Sequence, residues 1–120
     1  MRLFALRGAS SVDRNDAHAI LGATEWLLRE ILKLNDLHPS DVVSCIFTLT
    51  EDLDAEFPAV AARNMGLSKV PLLCAREIPV PGSLPRVIRV MVHAETDRTK
   101  SELRHVYLRG AAALRRDLAQ

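Results

Sequence analysis

Arg89 stands in the middle of a run, Val87 to Glu95, in which apolar residues recur at every second position. Ile88, Val90, Val92 and Ala94 are all apolar, so the two-residue period of a strand gives them one face, the one that packs. Val87, Arg89, Met91, His93 and Glu95 take the other face. The same parity groups Arg7 with Leu3 and Ala5, opposite Phe4 and Leu6, and Tyr107 with His105 and Arg109, opposite Val106 and Leu108. Three strands therefore each carry a long hydrogen-bonding side chain on a face the core does not need. A guanidinium grips a carboxylate through paired, charge-assisted hydrogen bonds, so the chemistry on offer is recognition of a small anion. A strand arginine is more commonly a solvated side chain or an ion-pair partner. Pattern alone leaves both readings open.

The remaining reactive residue types do not assemble into a familiar set. No Ser-His-Asp or Cys-His constellation is legible, and the four histidines are scattered without ligand spacing, so they read as surface or structural. Cys45 and Cys74 form no CxxC pair. Cys45 reads as core, and Cys74 either as a small buried hydrophobe or as part of a site. Trp26 and Met91 read as packing residues. The lone glycine in the Pro79–Pro85 turn makes no phosphate loop.

The elements that must hold these side chains alternate along the chain. Leu3 to Gly8 reads as a strand, followed by turn and capping chemistry in Ser10, Ser11, Asp13 and Asn15. Asp16 to Leu34 is an amphipathic helix with an apolar face of Ile20, Trp26, Leu27, Ile31 and Leu34, widened by Leu21, Leu28 and Leu32. Asn35-Asp36 and His38-Pro39 end it. Val42 to Thr50, rich in β-branched residues, is a buried strand. Ala55 to Met65 is a shorter helix, capped by Asp52 or Asp54, with Pro58 in its first turn and Gly66 at its end. Val70 to Val80, Val87 to Glu95 and His105 to Leu114 are strands, the last entered through a turn at Ser101 to Leu103. The expected fold class is α+β, a mixed sheet with helices on one face. The face left open is half apolar, which favours association and clefts between subunits.

With 120 residues, 48% of them hydrophobic, the chain is expected to form one domain, 1–120. A net charge of +1 argues against nucleic acid or a membrane surface as partner. No stretch is apolar enough to span a bilayer, and MRLFALRGAS lacks the long apolar run of a secretory signal. Two unpaired cysteines suit a reducing cytoplasm.

Four stretches, LRGASSVDRND, TEDLDAEFPAVAAR, VPLLCAREIPVPGSLPRVIRVMV and LRHVYLRGAAALRRDL, agree in order and spacing with one family. Over nearly its whole length the chain resembles the AroH-type chorismate mutases. That resemblance implies the Bacillus chorismate mutase-like fold, a trimeric pseudo-α/β barrel with active sites at the subunit interfaces. It also implies an isomerase of phenylalanine and tyrosine biosynthesis that rearranges chorismate to prephenate with no cofactor and no metal. By position, Arg89 resembles the arginine that donates to the breaking ether oxygen and to a carboxylate. Arg7 resembles a carboxylate-binding arginine, and Glu77 the glutamate that accepts from the ring hydroxyl. Tyr107 and Cys74 correspond to flanking polar contacts. Phe57 and Arg63 correspond to residues supplied by the neighbouring subunit, and Leu114 and Arg115 to a mobile C-terminal segment that closes over the site. The chain differs at Val60, where some relatives carry a lysine, and the tail after Arg115 is expected to be short. Cys74 and Glu77, three apart, share a site only if the strand ends, bends or bulges between them. The rival readings are a Rid-like trimeric enamine or imine deaminase, a non-catalytic small-carboxylate-binding trimer, and a regulatory sensor.

Overall fold

A computed structural model describes residues 1–115. The elements are β1 (Arg2–Ser11), α1 (Ala17–Leu34), β2 (Val42–Leu49), α2 (Ala59–Ala62), β3 (Leu72–Arg76), β4 (Val87–Thr96) and β5 (Val106–Leu108). The strands form one five-stranded mixed sheet in the order β3-β2-β4-β1-β5. β4 runs antiparallel to both β1 and β2, while β3 and β5 flank them in parallel.

α1 lies on one face of this sheet because its Leu27, Leu28 and Ile31 are buried against the inward side chains Leu6, Phe47, Val90 and Val92, and its Ile20 and Ala23 against Leu49 and Ile88. Gly8 marks the closest approach: a Cβ there would lie 2.6 Å from Ile31 Cδ1. Asp16 caps the helix, its Oδ1 accepting from the Ala19 N–H at 2.7 Å. Ser10 and Ser11, expected to serve the turn, remain in β1, because the ladder with β4 runs on to the pair Ser11 and Val87. Trp26, expected to pack, lies 42% exposed at the helix edge with the Arg109 guanidinium 5.2 Å above its ring.

Three elements are shorter than their sequence patterns suggest. The second helix has only Ala59–Ala62 as regular α-helix, then a π-helical turn, Arg63–Leu67, with Gly66 at φ +95°. Neither Asp52 nor Asp54 caps it. Asp52 accepts from the Arg86 N–H, while Asn15 Oδ1 takes the Asp54 and Ala55 N–H groups and holds that stretch as a loop. β3 stops at Arg76, before the proline-rich turn. β5 stops at Leu108 because Arg109 has φ +54°, which no strand accommodates, and a 3₁₀ turn, Arg109–Ala113, follows.

The other sheet face is largely open. Leu3, Ile46, Leu73 and Met91 stand out from it, each between 39% and 60% exposed. At one end a small apolar cluster of Ala9, Val87, Tyr107 and Ala111 closes over it, with Leu84 and Leu114 packed on top.

Candidate active site

Strand register assembles the polar residues of the open face. Reading across one rung, Tyr107 lies beside Ala9, Ala9 opposite Arg89, Arg89 opposite Thr48, and Thr48 beside Ala75. Two strand spacings separate Tyr107 from Arg89, about 10 Å between their backbones. Arg7 pairs with Met91, two residues along β4 from Arg89, which makes Arg7 and Arg89 diagonal neighbours on this face.

Glu77 follows β3, and its N–H still bonds the Leu49 carbonyl at 2.9 Å, so the chain keeps its strand parity and delivers the carboxylate to the open face. There Arg89 Nε donates to Glu77 Oε1 at 3.1 Å, and Thr48 Oγ1 donates to Glu77 Oε2. Glu77 is the more sheltered partner, its side chain 19% exposed against 43% for Arg89. Among the described residues the two Nη nitrogens of Arg89 have no hydrogen-bond partner. The guanidinium is thus fixed along one edge and presents its other donors outward.

These donors face an open cleft of about 730 Å³, walled by Thr48, Arg76, Glu77, the Pro79–Pro85 turn and Leu114. Arg76 keeps that wall in shape, its Nη1 donating to the carbonyls of Thr50 and Leu53 at 3.1 and 2.7 Å. Tyr107 is 4% exposed, its ring under Leu114, and its hydroxyl has no hydrogen-bond partner among the described residues. Arg7 is exposed on the same face, and its backbone N–H donates to His105 Nδ1 at 2.9 Å. Partial burial, with the Arg7 and Arg115 guanidiniums nearby, holds the His105 pKa below its ordinary value.

The structure therefore brings Arg89, Glu77 and Leu114 to one cleft and sets Arg7, Tyr107 and Arg115 on the adjoining face. It does not bring Cys74 there. β3 pairs with β2 without a bulge, Cys74 lies beside Phe47, and its side chain packs into the helix-covered core. Cys45, on that same face, is buried, which pushes its thiol up to about 12. Phe57, 66% exposed, and Arg63, also exposed, are not in the cleft wall. Val60 is half-buried on α2. The tail beyond Arg115 lies outside the described residues. Thr48 was missed in the sequence, although Ser44, Thr48 and Thr50 share one parity, interrupted by Ile46, along an otherwise apolar strand.

A sheet covered on one side, with a buttressed guanidinium lining a cleft and a second arginine nearby, is an arrangement that offers paired donors to a small anion. A family model described as chorismate mutase type I matches residues 3–118. The chorismate mutase AroH of Thermus thermophilus is 51% identical over 114 residues, covering 94% of this chain and 93% of that one. Its counterpart in Bacillus subtilis is 41% identical over 120 residues, covering 99% and 94%. A chorismate mutase structure from Clostridium thermocellum superposes with a TM-score of 0.90 at 51% identity, covering 92% of this chain and 98% of that one. The chain belongs to the type I chorismate mutase family, an isomerase family, and the deaminase reading is not favoured.

Proposed function

We propose that the chain is one chorismate mutase domain that converts chorismate to prephenate, working in the cytoplasm as a homotrimer with its sites at the subunit interfaces. The observation that carries this reading is the Arg89–Glu77 pair on the open face of the sheet, with Arg89's outward donors aimed into the cleft.

The reaction is a unimolecular rearrangement. The ether C–O bond breaks as a C–C bond forms, and no proton changes hands. Charge develops on the ether oxygen, and a pre-placed, permanently charged guanidinium stabilises it without reorganising. With Nε held by Glu77, one Nη of Arg89 serves the ether oxygen and the other a carboxylate. Glu77 uses two of about four lone-pair directions on Thr48 and Arg89 and keeps capacity to accept from the ring hydroxyl. Arg7 and Tyr107 hold the remaining carboxylate, and the restraint of a flexible substrate lowers the entropic part of the barrier.

The trimer is supported by the apolar side chains left on the open face and by Phe57, exposed outside the cleft wall, where a neighbouring chain receives it with Arg63. Leu114 and Arg115 close the outer side. Two free cysteines support a reducing compartment. The test is direct: purified chain is mixed with chorismate, and loss of its diene absorbance is followed together with appearance of prephenate. Turnover supports the reading, and a folded protein that leaves chorismate unchanged contradicts it.

A further inference from the structure

We propose that His105 is a positioning residue for substrate binding, its neutral Nδ1 fixing the backbone of Arg7 against β5. The parallel ladder between β1 and β5 runs only from Gly8 and Val106 to Ser10 and Leu108. One residue before it begins, the Arg7 N–H bonds His105 Nδ1 at 2.9 Å, so a side chain takes the place of a strand partner. The bond locks Arg7 in register with Tyr107, two residues beyond His105, and joins the two carboxylate contacts into one unit. This inference rests on the binding roles proposed above for Arg7 and Tyr107.

Only the imidazole with an unprotonated Nδ1 can accept this bond. The charged groups facing the ring are Arg7 from β1 and Arg115 after the 3₁₀ turn, both cationic, and with partial burial they favour the neutral ring. At neutral pH the acceptor is therefore in place. Protonation removes it and adds a third positive charge between two guanidiniums.

Three variants and one spectrum test this. Asn at 105 carries an amide oxygen close to the Nδ1 position, whereas Gln carries it near Nε2 and Ala has none. Near pH 7.5, His105→Ala and His105→Gln are expected to raise KM for chorismate roughly three- to tenfold, the value of one hydrogen bond, with kcat within about twofold. His105→Asn restores KM. If His105→Ala does not fold, the Gln and Asn pair still decides. Equal KM in the Gln variant and wild type, or failure of Asn to restore it, overturns the proposal. An amide NMR titration reads the same bond without turnover. The Arg7 N–H resonance shifts with a midpoint below about 6.5 in the wild type and stays flat in His105→Asn. A flat wild-type resonance overturns the proposal, whereas a titrating Arg7 amide in a protein that leaves chorismate unchanged overturns only the mutase reading.

Discussion

A guanidinium in water is a poor catalyst because its charge is solvated and its position is free. Arg89 differs on both counts. It rises from the central strand of the sheet, and Glu77, itself held by Thr48, fixes its Nε edge. Thr48 thus matters although it makes no hydrogen bond to Arg89: it stops the carboxylate from turning away. Replacing it with the isosteric Val is expected to lower kcat/KM by roughly tenfold, the lower end of what a hydrogen bond to an ionised group is worth. Steady-state kinetics check this, and unchanged values would mean that Arg89 alone orients Glu77. At this scale much was legible. Strand parity put Arg7, Arg89 and Tyr107 on the face away from the helices, as the structure does. Parity also set Cys74 and Glu77 on opposite faces, and the regular β2–β3 register keeps them there. The hydrogen bond from the Arg7 amide to His105 was not legible, since nothing in the spacing of residues 98 positions apart announces it.

Elements reach their places through a few polar clamps between distant parts of the chain. Asn35 is the clearest. It is fully buried after α1, and its amide donates to the carbonyls of Ile31 and Arg104 while its oxygen accepts the Arg104 N–H at 2.7 Å. This fixes the residue just before His105 and so the start of β5. Asn35→Ala strips partners from several backbone groups at once. It is expected to cost roughly 1–3 kcal/mol of stability, read from the denaturant midpoint at fixed protein concentration. A midpoint equal to wild type would show that water replaces the clamp. In the sequence Asn35 read as a helix stop and no more. The shortened second helix and fifth strand were overread for the same reason: apolar character continues past Leu108, but the positive φ of Arg109 and the ion pair from its Nη1 to Asp13 at 3.0 Å are settled by tertiary contacts.

At the scale of the whole molecule, fold class and the sidedness of the sheet were readable from alternation. The strand order was not, because β3-β2-β4-β1-β5 depends on pairings far apart in the chain. The open face carries the consequence. Leu73 is 60% exposed, so Leu73→Glu leaves the core of one chain undisturbed while placing a charge where a neighbour is expected. Sedimentation of the wild type is expected at three times the 13.3 kDa chain mass, and the variant at less, with turnover lost alongside. A wild type that sediments as a single chain while still turning over chorismate would refute the shared site. The decisive measurement remains the rate of chorismate rearrangement by Arg89→Lys, made beside an equilibrium measurement of prephenate binding to the same variant. A lysine keeps the charge but cannot hold Glu77 and serve two substrate oxygens together. The prediction is a kcat at least ~10²-fold below wild type, with prephenate binding weakened far less. A lysine variant turning over at nearly the wild-type rate would contradict the claim that a fixed, forked donor at position 89 drives the reaction.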